Sequence, residues 1–188
     1  MTPTNGPPTR LNRDEWLARA LDVLATEGQG KLRVEALCAA LGVTKGSFYW
    51  HFKDRDDFVR SLVLFWSDQF TQPVMTCVIQ LASEPGERLK LLLRVVSDGG
   101  YARYDVSMRA WAAQDPELAA VIVRDVDERR LAFVVEIFTN LGFDSKESEV
   151  RARACIAYLS YESSCFVESP GERRSEMLDM FFSIITSR

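Results

Sequence analysis

The sequence predicts an all-α protein: an N-terminal three-helix helix-turn-helix head, a connecting helix and a larger C-terminal helical body, about nine helices in all. Three observations carry this. Apolar residues recur at i, i+3, i+4 and i+7 along most of the chain, the spacing of one helix face. Gly, Pro, Asn, Asp and Thr punctuate these runs where helices start and stop. No stretch alternates apolar and polar residues between turn signals, as a half-buried strand would.

The elements follow in order. The opening MTPTNGPPTR has no long apolar core, so no secretory signal is expected there, and residues 1–11 read as a loose arm with Arg10 and Arg13 near its edge. Residues 12–54 read as the head. Asn12 is placed to cap a first helix, with Glu15 three residues on, and Leu17, Ala20, Leu21 and Leu24 form its inner stripe. Gly28 and Gly30 end it. Val34, Leu37, Cys38 and Leu41 give the next helix one apolar face, and Gly42 stands where that helix must stop, because glycine accepts the left-handed conformation. Thr44 has the chemistry to cap a third helix, with Val43 and Phe48 as its hydrophobic staple. Two short helices joined by a three- or four-residue turn with glycine make a helix-turn-helix.

Residues 55–188 read as the body. Asp54 caps a long helix with Phe58, Leu62, Phe65, Trp66 and Gln69 on one side, which Pro73 ends or kinks. Ser83, Glu84 and Pro85 open another, with Leu89, Leu92, Leu93 and Val96 at helical spacing and Gly99–Gly100 after it. A shorter helix runs from Ala102 to Gln114. Asp115 and Pro116 start a long one reaching Leu141, whose charged run RDVDERR reads as a solvated face. Asp144 with Glu147 caps the next, to about Val167; Pro170 and Gly171 precede a last helix through Ile185.

The third helix has an unusual outward face. With Phe48 and Phe52 four apart and turned inward, Lys45, Gly46, Ser47, Tyr49, Trp50 and His51 remain on the other side. A cation, a hydroxyl, an imidazole and two amphipathic rings suit phosphates, base edges and thymine methyls better than they suit bulk water. The plainer alternative is that Tyr49 and Trp50 pack on a neighbouring helix. The segment TKGSFYWHFKDRDDFV, with VEALCAALGV before it, resembles the recognition-helix region of the TetR family of bacterial transcriptional regulators over residues 13–66. That resemblance implies that Lys45, Gly46 and Ser47 face bases or adjacent phosphates, and that Thr44, Tyr49, His51 and Lys53 hold the backbone. Trp50 stands where the family often has Tyr. Arg33 replaces the usual capping Thr and offers a phosphate-seeking cation.

The resemblance also implies that the helix after the head is a connecting rod whose tilt sets the head's position. It further implies a dimer and a ligand pocket. The last helix carries apolar residues around more than one face, and a symmetric partner is the simplest cover for the surplus; a helix wedged deep within the monomer is the alternative. Ile156, Leu159, Met177, Leu178, Phe181, Phe182 and Ile185 are the interface candidates. Trp66, Gln69, Phe70, Tyr101, Tyr104, Met108 and Trp111 are the pocket candidates, with Asp98, Arg103 and Arg109 as polar partners; plain core is the alternative for each aromatic.

Composition bounds the rest. Net charge is −4, but residues 1–60 hold 9 Lys/Arg against 8 Asp/Glu, so the acidic excess lies in the body. No run approaches the length of a membrane span, and a cytoplasmic location is expected. Cys38, Cys77, Cys155 and Cys165 are scattered, which suits reduced thiols, with a Cys155–Cys165 redox pair as the alternative. With a single histidine, neither a metal site nor another cofactor is expected. The function these features imply is a sequence-specific regulator, by family habit a repressor. It would bind a pseudo-palindromic operator as a homodimer, and a small lipophilic or aromatic effector would release it. An architectural DNA binder without effector remains an alternative. An all-α carrier or enzyme is another, although no Ser/His/Asp or Cys/His set is available to it.

Overall fold

A computed structural model describes residues 11–165 and 171–188; the expectations for the arm before Leu11, for the helix end at Val167 and for the break at Pro170 lie outside the described residues. Every regular element among the described residues is helical, and none is long and apolar enough to cross a membrane. The chain divides into two compact units, one ending at Trp66 and one from Ser67 to Arg188.

The first unit holds α1 (Arg13–Glu27), a 3-10 turn (Gln29–Leu32), α2 (Val34–Leu41), α3 (Lys45–His51) and most of α4 (Arg55–Phe70). Local chemistry sets each boundary. The Asn12 side chain accepts from Glu15 N at 2.9 Å while Glu15 Oε2 accepts from Asn12 N at 2.8 Å, a reciprocal cap. Gly42 closes α2 at φ 65°, in the left-handed region. Asp54 caps α4, its Oδ1 accepting from Asp57 N, while Asp57 Oδ2 accepts from Lys53 N one residue before the cap. Inside, Trp16, Phe48, Phe52 and Phe58 form an aromatic cluster with centroid separations of 5.1 to 6.3 Å, and all four are buried. Phe58 sits beyond residue 54, where the sequence reading puts the edge of the head. Its burial against Phe48 and Phe52 is why the compact unit extends into α4.

The second unit holds α5 (Gln72–Leu81), α6 (Pro85–Asp98), α7 (Ala102–Ala112), α8 (Pro116–Ile122), a π turn (Val123–Asp127), α9 (Glu128–Asn140), α10 (Ser145–Cys165) and α11 (Gly171–Thr186). Its core joins Val78, Leu89, Leu93, Val134, Ile137, Phe138, Ala152 and Cys155 with Leu178 and Ile185 of the last helix. α5 is not anticipated by the sequence reading. Pro73 lies in its first turn, where the missing N–H is harmless, so the proline starts a helix as well as ending one.

The long helix from Pro116 is continuous in path but carries the π turn, one residue wider per turn than an α-helix. That changes the reading of RDVDERR. Val126 is fully buried, Asp127 receives a bidentate pair from Arg109 at 2.6 and 3.0 Å, and Arg130 NH1 reaches Asp105 at 2.6 Å. Only part of the run is a solvated face, because the charged side chains have buried partners on α7 that no local spacing reveals.

Candidate functional site

The head presents α3 on a rigid base. Phe48 and Phe52, one helical turn apart, are both buried, and Thr44 caps the helix by accepting from Ser47 N at 3.2 Å. The opposite side is open: Tyr49 is 59% exposed and Trp50 is 75% exposed. Burying one Trp typically stabilises a fold by about 2 kcal/mol or more, so a bare Trp50 beside a tightly packed Phe48 is not a product of core packing. Gly46 is exposed, and a Cβ added there would meet only Thr44 Oγ1 at 3.6 Å, so the helix start is open to close approach. Arg33 and Lys53 are exposed beside it; Arg33 stands at the α2 N-cap without making a side-chain capping bond.

Two residues expected on that outward face turn elsewhere. Ser47 is half-buried, and its Oγ accepts from Trp16 Nε1 at 3.2 Å. His51 is half-buried with Nε2 2.9 Å from the carbonyl of Leu11. A carbonyl only accepts, so Nε2 carries the proton and donates. The reason is angular. Ser47 precedes Phe48 by one residue and His51 precedes Phe52 by one, so both lie on the flank of the buried stripe.

Lys45 also has a partner that the sequence reading missed. Its Nζ lies 2.6 Å from Glu35 Oε1 on α2. The hydrogen bond from the ammonium holds the Glu35 carboxyl below its usual range, and the same bond raises the Lys45 ammonium above its own. Both groups are exposed, so the contact is screened and exchangeable. Ten residues separate the two, so only the turn between α2 and α3 brings them together.

The body contains a second candidate. A cavity of about 60 Å³ lies between α5, α6, α7, α9 and α10, walled by Val74, Leu92, Val96, Phe133 and Leu159 among others. Of the seven pocket candidates, Phe70 and Tyr101 line it; Trp66, Gln69, Tyr104, Met108 and Trp111 do not. Gln69 is exposed, Tyr104 stacks on Phe70 at 4.9 Å, and Trp66, Met108 and Trp111 are buried core. On α7, which packs against α8 and α10, Tyr104, Met108 and Trp111 form the buried face. The polar lining residues are Thr71, Asp105, Arg130 and Ser160, not the Asp98, Arg103 and Arg109 of the sequence reading. Asp98 and Arg103 are exposed, and Arg109 pairs with Asp127. One signal for Asp105 was available: it lies four residues after Tyr101 and three before Met108, a carboxylate inside an apolar stripe.

The dimer candidates also divide. Leu178 and Ile185 are buried in their own core, Phe181 stacks on Tyr158 at 4.0 Å, Phe182 is half-buried under Lys90, and Ile156 and Leu159 line the cavity. Residues 178 and 185 are seven apart and mark the inward face. Met177 and Ile184, turned about 100° from it, and Met180, turned about 150°, are exposed, as are Val150 and Tyr161 on α10. Burial pushes the Cys155 thiol up to about 12, and the Cys165 side chain lies outside the described residues.

A capped, aromatic-bearing helix following a glycine turn, on a three-helix head with a wholly helical second unit, defines a helix-turn-helix protein with an all-α body. Residues 17–62 match the family model described as bacterial regulatory proteins, tetR family. The transcriptional regulator AcuR of Cereibacter sphaeroides is 26% identical over 97 residues, a match that takes in 52% of this chain and less than half, 44%, of that protein. Among solved structures, AibR in complex with isovaleryl coenzyme A and operator DNA has a TM-score of 0.72 at 19% identity, covering 91% of this chain and 98% of that one. A putative TetR-family regulator from Rhodococcus gives 0.73 at 17% identity over 93% and 98% of the two chains, and the superantigen PfiT gives 0.68 at 21% over 96% and 97%. Residues 17–62 are thus similar to the tetR family of bacterial regulatory proteins, and the fold of the described chain is similar to those of these solved structures.

Proposed function

We propose that this chain is a transcriptional regulator that binds a pseudo-palindromic DNA operator as a homodimer and is released by a small lipophilic effector held in the body. The single observation that carries the DNA reading is the contrast within α3: Phe48 is fully buried while Trp50 is 75% exposed two residues later. Lys45, Gly46, Tyr49 and Trp50 then form the surface for a major groove, with Arg33, Thr44 and Lys53 toward the phosphates. Ser47 and His51 act from the flank and hold α3 in place.

The exposed face of Met177, Met180 and Ile184 on α11, with Val150 and Tyr161 on α10, supports a two-fold interface. A dimer would set two recognition helices one DNA turn apart, roughly 34 Å, or a multiple of it. Control then follows from linkage. An effector that binds better to one conformation of the dimer draws the population away from the operator-matching one. The complex of AibR with an acyl thioester and its operator is a parallel for the two kinds of ligand on one fold.

Selection of preferred sequences from a random DNA pool tests the reading. An enriched site with two-fold symmetry is expected. Equal retention of all sequences at low salt would overturn it, and an isolated half-site bound as tightly as the full site would remove the dimer.

A further inference from the structure

The packing of the body does not explain one end of its apolar cavity. Asp105 is 2% exposed and stands in the cavity wall. Its Oδ2 is committed: Arg130 NH1 donates at 2.6 Å, the Ser160 hydroxyl donates at 3.1 Å, and Arg109 NH2 lies 3.9 Å away. Its Oδ1 is buried and, among the described residues, accepts from no side chain or backbone group. Buried polar atoms in native proteins are satisfied by a protein group, an ordered water or a ligand. No described group serves here, and Asp105 lines a cavity.

We infer that this cavity takes a small neutral molecule with a short aliphatic tail and a hydrogen-bond donor, an alcohol or primary amide, and that Asp105 Oδ1 is the acceptor that selects it. This rests on the reading of the cavity as the effector site and names the effector's chemistry. Three features fix the class. The far walls are Val74, Leu92, Val96, Phe133 and Leu159, which favour hydrocarbon. The polar end already balances, Asp105 and Asp127 against Arg109 and Arg130, so an added ion of either sign brings an uncompensated charge into a buried site. The volume of about 60 Å³ is well under the roughly 150 Å³ of a cavity that holds benzene, leaving room for roughly two or three non-hydrogen atoms. An acceptor-only ligand would leave Oδ1 as it is.

The matched pair ethanol and dimethyl ether tests this on the whole protein by NMR titration. The two are isomers of similar volume, and only the alcohol donates. The alcohol is expected to bind roughly tenfold tighter or more, with formate weaker than either. In Asp105→Asn, Arg130 and Ser160 hold the amide oxygen and the NH₂ turns to the cavity, so the preference inverts toward the ether. That variant can lose stability, since Asp105 braces Arg130; the comparison on the unaltered chain stands without it. Equal affinity for the two isomers overturns the inference, as does tighter binding of formate. So does a cavity that admits xenon but neither isomer, which would mean that water alone satisfies Oδ1. Operator affinity measured with and without ethanol keeps the two readings apart. Discrimination of the isomers with unchanged operator affinity leaves the recognition intact and removes the effector role.

Discussion

Truncating Phe48 and Trp50, two residues apart on α3, should separate folding from DNA binding. Phe48 is fully buried, with ring centroids of Trp16, Tyr49, Phe52 and Phe58 at 5.8, 5.3, 5.2 and 5.4 Å. Removing such a ring costs about 3–5 kcal/mol in transfer and cavity terms. Lost aromatic pairing adds to this, about 0.5–1.5 kcal/mol for each well-oriented pair. Phe48→Ala should therefore fall at the upper end, about 5 kcal/mol, comparable with the whole stability of many small domains. Trp50 is 75% exposed and has little packing to lose, so Trp50→Ala should change stability by no more than about 0.5 kcal/mol. Urea unfolding of the full chain followed by circular dichroism measures the first quantity, and fluorescence anisotropy on the selected operator measures the second. Phe48→Ala should lose binding because the head no longer folds. Trp50→Ala should lose tenfold or more in affinity with its denaturation midpoint almost unchanged. A Trp50→Ala protein destabilised by about 3 kcal/mol, within the core-truncation range, would show that the ring is packed and that the surface is not free for DNA.

Glu35→Gln removes the partner that holds Lys45 at 2.6 Å, so DNA affinity at low salt should rise several-fold and its salt dependence steepen; unchanged titrations would show that Lys45 makes no phosphate or base contact. For the wild-type pair, the depressed Glu35 carboxyl contributes stability above its unfolded pKa, lost as pH falls through its lower folded value. The raised Lys45 contribution is full below the ordinary lysine value and is lost as pH rises through its higher folded one. Gly42→Ala should cost about 1–2 kcal/mol from backbone strain alone, because φ is +65° and nothing lies within 4 Å of an added Cβ; Gly30→Ala, equally uncrowded, is the control in the same melting experiment. Met180→Asp with Ile184→Glu should give monomers by analytical ultracentrifugation at unchanged helix content, whereas Leu178→Ala should cost about 2–5 kcal/mol as a core change. Cys155, with its thiol pushed up to about 12, should resist alkylation of the folded protein at pH 8 while half-buried Cys77 reacts first, as read by mass spectrometry.

What was legible before the structure is what short-range chemistry controls. Asn12 and Glu15, Thr44 and Ser47, and Asp144 with the amides of Lys146 and Glu147 each act within three residues, so the one-dimensional string contains both partners. Gly42 is of the same kind. Most of the apolar stripe of α1 was legible for the same reason, since one helix turns through its own neighbours; Leu17, Ala20, Leu21 and Leu24 were read, and the buried Trp16 and Val23 widen it. The α3 face was legible only in part. Helical spacing located the buried Phe48–Phe52 stripe but could not say on which side its flanks would fall, and the partners that settled Ser47 and His51 lie 31 and 40 residues away.

By itself, then, the order of residues determined most of the helices (α5 was not among them), the glycine-broken turn between α2 and α3, and the sidedness of α3 at Phe48 and Trp50. Local backbone preference and the 3.6-residue period suffice for those. Only the folded chain decided that Lys45 meets Glu35, that Asp105 meets Arg130 and Ser160 from 25 and 55 residues away, and that Leu178 turns inward while Met180 stays open. The physical reason is that a side chain's partner across a core depends on which helix packs beside it. That arrangement is set by the summed burial of the whole unit, not by any window of sequence.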